Sequence, residues 1–318
     1  MTESTRYQAA VPAPLDMGAA IASTLKIYRS RLAALVAIGV ALAALTYGLT
    51  FAWLAALLSW LLTWMQDFHK MSDYAALSSL SSVTAVSVGL LTFVVMVLSW
   101  FANLGFCAIG DAQLIGAPGS LGQGLKTAGN RLISLIPAAV LVAIAIAGLS
   151  FAMIQGTVKL VDWMASPGVG SNIGLVLLVV LALIGPLALT LAGYWLNAKC
   201  FLAFPVMVVE SETIWKALAR SWRITNGSAT RILLLLVLAN LVIGTITSIG
   251  LMPGMVIATI SYQTVELTGG LAVNQLLVGV IAIMIVTCLM TIFTAPLLPL
   301  LSQVVYRDRV RWAPQPGA

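Results

Sequence analysis

Charged and histidine side chains are scarce in this chain. Of its 318 residues only 8% are Asp, Glu, Lys or Arg, and His69 is the one histidine. Soluble domains usually carry about 25% charged residues, so the composition excludes a water-soluble protein. A metal-dependent hydrolase needs several His and carboxylate ligands around one cation, which His69 beside Asp67 and Asp73 does not supply. We therefore expect His69 in a solvated loop, with no catalytic residue, no metal site and no cofactor.

Cysteine is rare as well. Cys107, Cys200 and Cys288 all lie in or at the edge of apolar runs, and no pair has the spacing of metal ligands. The sequence also contains no G-x-S-x-G elbow and no phosphate-binding P-loop. We expect the cysteines to be small packing residues, and an enzyme acting on phosphodiester lipids is the least favoured function.

Long apolar runs are abundant, since 61% of the residues are hydrophobic. A helix crosses a bilayer with about 20 apolar residues, and six stretches without any ionisable side chain meet this length. They are Leu32–Leu62, Val83–Gly110, Leu132–Val158, Ile173–Ala198, Ile232–Ile260 and Leu271–Val304. The sequence therefore predicts an all-α integral membrane protein with six transmembrane helices. Pro186 should kink the fourth, and Pro296 and Pro299 should bend the last turns of the sixth.

The basic residues are distributed unevenly around these spans. Of the 16 Lys and Arg residues, all but Lys70 and Lys159 fall on one side of the predicted membrane. The positive-inside rule places that side, with both termini, in the cytoplasm and the protein in the inner membrane. The net charge of +6 is thus expected to meet anionic lipid headgroups, not nucleic acid.

Two charged series recur along the chain. The basic series is Arg31, Arg131 and Arg231, one before each odd-numbered span and 100 residues apart. The acidic series is Asp111, Glu210 and Asp308, one after each even-numbered span. We predict one membrane domain (14–312) of three tandem repeats, approximately 14–113, 119–210 and 211–310, each an interfacial amphipathic helix plus two spans. A flexible cytoplasmic N-terminus (1–13) and a cytoplasmic tail (313–318) flank it.

Both charged series reach the same predicted membrane boundary. Acids that end one repeat can pair with the arginines that open the next, and partial desolvation would make such pairs stronger than surface ion pairs. We favour this inter-repeat pairing. The alternative is that these residues only mark the headgroup boundary and act as topology signals.

The stretch Ser211–Gly227 is the clearest amphipathic segment. Ser211 can cap a helix, and Asn226-Gly227 can end it. One face is cationic, another is mostly apolar, and tryptophan lies at their boundary, as in helices that lie in the headgroup layer. The candidate lipid contacts are Lys216, Arg220, Trp222 and Arg223. A connecting helix docked on its neighbours is an equally favoured interpretation and is compatible with the first.

Three segments carry a family resemblance: FLAFPVMVVESETIWKALARSWRITNG (201–227), VVYRDRVRW (304–312) and LKIYRSRL (25–32). With them and six spans, the chain resembles the glycerophosphodiester phosphodiesterase membrane-domain family of prokaryotic integral membrane proteins. That family is named after members in which such a region is fused to a catalytic phosphodiesterase domain, and no domain of that kind is recognisable in this sequence. The resemblance implies an architecture and gives no catalytic residues.

Two functions fit these observations. The favoured one is a non-catalytic scaffold or accessory subunit that engages anionic lipid or a protein partner at the cytoplasmic face. The alternative is a transporter or permease for a small uncharged or amphipathic solute, which predicts a polar cavity reaching the bilayer midplane. Polar residues within the spans suit either a solute path or hydrogen bonds between packed helices, and we favour packing. They are Asn103, Thr190, Tyr194, Asn197, Asn240, Thr287, Thr291 and Thr294.

Overall fold

The computed structural model describes residues 16–67, 73–117, 119–165, 190–268 and 272–312, and in these ranges the chain forms helices joined by short turns. In chain order the helices are α1 (Met17–Ser30), α2 (Leu32–Asp67), α3 (Asp73–Leu114), α4 (Leu121–Ala165), α5 (190–200), α6 (Ala203–Val209), α7 (Ile214–Thr225), α8 (Ala229–Thr268), α9 (Ala272–Thr294) and α10 (Leu297–Trp312). Outside the described residues lie His69, Lys70, Pro186, residues 173–189 of the predicted fourth span, the predicted N-terminal segment (1–13) and the predicted tail (313–318).

Six segments of the described helices are long and apolar enough to cross a membrane. They are Leu32–Leu57, Val86–Leu114, Leu121–Leu149, Thr190–Val209, Ala229–Val256 and Ile281–Val310. The prediction of an all-α protein with six spans is confirmed, and the chain is a multi-pass membrane protein. Several helices extend past the apolar run that predicted them, and α4 has 45 residues.

The last span is interrupted where the sequence places proline. α9 ends at Thr294, the chain turns through Ala295 and Pro296, and α10 begins at Leu297. Pro299 falls in the first turn of α10, where a missing backbone N–H costs no intrahelical hydrogen bond. The predicted bend in the sixth span is confirmed.

The three basic segments that precede the odd-numbered spans differ in form. The first is the separate helix α1, which the Asp16 side chain caps by accepting from the backbone N of Ala19 at 3.1 Å. The third is the separate helix α7, whereas the second is continuous with its span as the first turns of α4. The division into three like repeats therefore stays a prediction.

The ends of α7 show one predicted feature and one correction. The helix stops at Thr225, followed by Gly227 with φ 80°, so the Asn226-Gly227 stop signal is confirmed. Ser211 is not the N-cap of α7. The helix begins at Ile214, and its N-cap is Thr213. Ser211 instead has φ 60°, a left-handed conformation in which the chain turns between α6 and α7.

Helix packing brings the ends of α3, α6, α7 and α10 together. α3 lies along α4 and α8 along α9, while α2 contacts both α3 and α9. α10 contacts α1, α3 and α6, and α6 contacts α7. Gly39 allows α2 to approach α9 closely, because a Cβ there would stand 2.7 Å from the carbonyl oxygen of Ile292.

The core is concentrated near the end of the bundle that carries Arg31, Arg131 and Arg231, which we call the basic end. The largest fully buried side chains lie within a few turns of it, among them Leu35, Phe106, Leu135, Met207, Leu235, Leu300 and Tyr306. Further along the spans, large apolar side chains are exposed, as at Leu90, Ile249 and Met252. Such contiguous exposed apolar surface suits contact with hydrocarbon.

Several polar side chains within the spans bond to their own helices. Asn240, Thr287 and Thr294 each donate to the carbonyl four residues earlier, at 2.8, 2.7 and 2.9 Å. Thr291 does the same at 2.8 Å and lies 2.8 Å from the Tyr47 hydroxyl of α2. Because the Thr291 hydrogen is already used, Tyr47 donates to it, which links α2 to α9. Of these four residues, Thr291 is the one shown bonded to a second helix, and the bonds of the other three are intrahelical.

Candidate functional site: the charged rim

The polar residues that meet at the basic end form a cluster that we call the charged rim. Its members are Asp111 at the end of α3, Glu210 after α6, Arg220 on α7, and Gln303, Tyr306 and Arg307 on α10. α10 is central to it because this helix contacts both α3 and α6.

Asp111 accepts hydrogen bonds from two residues of α10. Its Oδ1 lies 2.7 Å from Arg307 Nε, 2.5 Å from Arg307 Nη2 and 2.7 Å from Gln303 Nε2. Gln303 and Arg307 are four residues apart and so lie on one face of α10. The carboxylate side chain is 16% exposed and that of Arg307 28%. This partly desolvated pair fastens the last helix to the end of α3.

Glu210 receives a second set of contacts. The hydroxyl of Tyr306 donates to its Oε1 at 2.7 Å, and Arg220 Nε donates to the same oxygen at 3.3 Å. Tyr306 is buried, whereas the side chains of Glu210 and Arg220 are each about 30% exposed. One carboxylate thus joins α10 to α7.

The predicted arginines lie near these acids but bind other groups. Arg31 Nε donates to Gln113 Oε1 at 2.8 Å, two residues beyond Asp111. Arg131 Nη1 donates to the carbonyl oxygen of Ser211 at 2.9 Å, one residue beyond Glu210.

Arg231 and Asp308, the remaining members of the two predicted series, make no such contact with any residue that the structure describes. Arg231 is exposed, and Asp308 lines a cleft of about 170 Å³ with Asp16 and Arg307. In the described part of the chain, the ion pairs of Asp111 and Glu210 are made by Arg307 and Arg220 instead of the predicted arginines. Arg307 reaches Asp111 because α10 lies against α3, and Arg220 reaches Glu210 because α7 lies against α6.

Helix α7 turns one face into the protein and another outward. Its buried residues are Ile214, Ala217, Ser221 and Thr225. Lys216 and Arg223, two of the four candidate lipid contacts, are exposed on the outer face together with Trp215. Arg220 faces Glu210 instead, and Lys216 pairs with Glu212 at 3.3 Å.

The fourth candidate, Trp222, contacts a buried lysine. The Lys199 ammonium lies 5.2 Å from the Trp222 ring centroid and 5.8 Å from that of Trp195, and the two indoles meet edge to face. Both distances are within the range of cation–π attraction. Lys199 is only 6% exposed, whereas Trp222 keeps 40% of its surface exposed. Trp222 therefore fastens α7 to α5 and still reaches the surface.

Ser221 completes the attachment of α7. Its hydroxyl donates to the carbonyl oxygen of Lys199 at 2.7 Å and accepts from the backbone N of Leu202 at 3.2 Å. These bonds satisfy backbone groups exposed by the turn between α5 and α6. Sequence reasoning missed Lys199, Ser221, Gln303 and Tyr306. The available signal was their position: polar residues beside a charged boundary at the ends of apolar runs.

The rim has the chemistry of a structural network with a cationic outer surface. Within the residues that the structure describes, no group of three or more His, Cys, Asp or Glu side chains is placed to hold a metal ion. Asp111 and Glu210 each accept from at least one basic side chain. What remains accessible on α7 is a surface of tryptophan and basic side chains, which attracts anions.

Comparison with known proteins agrees with this architecture. No curated protein and no solved structure matches the chain. Residues 175–313 match the family described as the membrane domain of glycerophosphoryl diester phosphodiesterase. This segment contains α6 to α10 and thus most of the charged rim. The resemblance carried by the sequence is confirmed over this segment.

Proposed function

We propose that this chain is a non-catalytic scaffold or accessory subunit of the cytoplasmic (inner) membrane, which engages anionic lipid headgroups at its basic end. Both termini would lie in the cytoplasm, as the concentration of basic residues at one end favours. The same surface is available to a protein partner. The observation that carries the proposal is the outer face of α7, where Trp215, Lys216 and Arg223 are exposed on a helix docked through its opposite face.

The docking of α7 supports this role because it holds the cationic surface at a fixed position relative to the ends of the spans. Ser221 and Trp222 attach the helix to the end of α5, and Arg220 attaches it to Glu210. Tryptophan prefers the boundary between hydrocarbon and headgroups, and basic side chains beside it face the phosphates. Trp215 and Arg223 are therefore expected at the level of the headgroups.

The two exposed cations are not equivalent. Lys216 is paired with Glu212 one turn earlier, which reduces its attraction for a phosphate. Arg223 has no acidic partner in the described part of the chain and can also bind a phosphate in bidentate fashion. Arg223 is thus the expected main contact, with Lys216 second.

The transport alternative has less support from the described cavities. A cavity of about 160 Å³ between α2, α3 and α4 is lined by Leu42, Leu98, Phe101, Leu125 and further apolar side chains. Such a lining offers no hydrogen bonds to a polar solute. This lining favours the lipid-binding function over transport.

Native mass spectrometry with a defined lipid mixture tests the proposal. Full-length protein in detergent is given equal amounts of phosphatidylglycerol and phosphatidylcholine, and the ratio of retained lipids is measured. A basic residue near anionic lipid contributes about 1 kcal/mol, so Arg223→Gln should lower the phosphatidylglycerol preference by up to about fivefold. Lys216→Gln should have a smaller effect.

Lys159→Gln is the matched control for this experiment. Lys159 is exposed near the far end of α4, away from the basic end, and its loss removes the same charge. The ratio should stay unchanged in this variant. Equal preference for both lipids in the unmodified protein, or equal losses in Arg223→Gln and Lys159→Gln, would overturn the proposal.

A further inference from the structure

A groove runs between α1, α8 and the start of α10. Its volume is about 220 Å³, and apolar side chains from all three helices line it, among them Leu25, Leu238, Val242, Leu298 and Leu301. It exists because α8 packs along α9 and leaves a gap beside α1. The hydroxyl of Thr24 also lines the groove but donates to the Ala20 carbonyl at 2.8 Å. The groove therefore suits an aliphatic occupant.

A cationic depression adjoins this groove on α1. Ala22, Leu25, Lys26, Arg29 and Ser30 line it, so the Leu25 side chain borders both the depression and the groove. Lys26 and Arg29 are exposed, and neither has an acidic partner in the part of the chain that the structure describes. Two cations without an acidic partner in the described residues, one turn apart, thus lie beside the apolar groove.

This juxtaposition matches an amphiphile with an anionic head and an aliphatic tail. We propose that α1, α8 and α10 form a binding site for one anionic glycerophospholipid, with its phosphate on Lys26 and Arg29 and one acyl chain in the groove. A second copy of the chain is a poorer occupant, because its own cationic helices would face these two cations. The inference rests on the proposed function in one respect: the basic end must lie at the headgroup level.

Photo-crosslinking in nanodiscs tests the position of the acyl chain. Full-length protein is reconstituted with phosphatidylglycerol that carries a diazirine in one acyl chain, and the labelled residues are identified by mass spectrometry. Labels should concentrate on the groove residues of α8 and α10, above the level on α8 residues that face away from it. Labels spread evenly over α8 would overturn the proposal.

Two substitutions on α8 provide a matched pair. Val242 is 50% exposed and lines the groove, whereas its neighbour Leu241 is 65% exposed and does not. Val242→Trp should fill the groove and remove most of the labelling on α10. Leu241→Trp introduces the same indole one residue away and should leave that labelling unchanged. Equal labelling of α10 in both variants would contradict the acyl-chain site.

The headgroup part is tested by charge removal. Lys26→Gln with Arg29→Gln should lower groove labelling by phosphatidylglycerol by about fivefold for each charge, and leave labelling by the phosphatidylcholine analogue unchanged. The control is Lys216→Gln with Arg223→Gln, which removes two charges from α7.

These two double variants separate the inference from the proposed function. Groove labelling should survive in the α7 variant even where its overall phosphatidylglycerol preference falls. If the α7 variant keeps its preference while the α1 variant loses groove labelling, α7 is not the lipid-binding surface of the proposed function and the groove site stands. If the α1 variant keeps its groove labelling, the headgroup assignment fails whatever the α7 variant does.

Discussion

The contact between Arg307 and Asp111 gives the sharpest prediction about how the bundle is held together. Arg307→Met removes two of the three hydrogen bonds that Asp111 Oδ1 accepts and leaves only the amide of Gln303. Removing one partner of a fully buried ion pair costs about 3–5 kcal/mol, and an exposed pair is worth about 0–1 kcal/mol. With exposures of 28% and 16%, we expect a loss of about 2 kcal/mol in the free energy of unfolding.

The measurement is unfolding of the purified protein in detergent, followed by near-ultraviolet circular dichroism. Arg231→Met is the matched control, because Arg231 is exposed at the basic end and has no ion pair in the described ranges. It should change the free energy of unfolding by less than about 0.5 kcal/mol.

A double-mutant cycle adds the decisive comparison. Asp111→Asn in the Arg307→Met background removes the uncompensated carboxylate, so the double variant should be more stable than Arg307→Met alone. Equal losses in Arg307→Met and Arg231→Met, or a double variant no more stable than Arg307→Met, would refute the assignment of this pair.

Three further predictions concern packing around the rim. Gly39→Ala should lower the thermal unfolding midpoint, because the added Cβ would meet the Ile292 carbonyl oxygen at 2.7 Å. Gly48→Ala, which has open space around its Cβ, should leave the midpoint unchanged, and equal midpoints in the two variants would contradict the prediction. Ser221→Ala should lower the free energy of unfolding by about 1–3 kcal/mol, because it leaves two buried backbone groups unpaired. Limited proteolysis should then cleave the chain faster around α7, and unchanged cleavage would contradict the prediction. Tyr306→Phe should cost about 1.5–3 kcal/mol in the same unfolding assay, since one hydrogen bond to a charged carboxylate is lost; no change would contradict that role.

The spans could be predicted because hydrocarbon imposes a simple requirement. A segment without ionisable side chains and of sufficient length crosses the bilayer as a helix, whatever its neighbours are. Local signals were similarly reliable at Pro296 and at Asn226-Gly227, where the backbone preference of one or two residues decides the outcome. Ser211 failed as a cap because the turn after Glu210 holds it in a left-handed conformation.

The partners of the charged residues could not be predicted in this way. Arg307 and Asp111 are 196 residues apart, and their contact depends on how α10 lies against α3. The regular spacing of Arg31 and Arg131 led to the correct neighbourhood but not to the correct acceptor, because Arg307 of α10 and Arg220 of α7 pair with the acids instead. Lys199 could not be recognised as buried either, because the two indoles that cover it come from separate helices, α5 and α7.

Fluorescence quenching at Trp215 tests the proposal that the outer face of α7 lies among anionic headgroups. The protein is reconstituted in vesicles that contain either brominated phosphatidylglycerol or brominated phosphatidylcholine, and the Trp215 signal is obtained by difference from Trp215→Phe. Quenching by the brominated phosphatidylglycerol should be stronger, and the difference between the two lipids should be lost in Lys216→Gln with Arg223→Gln. Equal quenching by the two lipids in the unmodified protein would contradict this proposal.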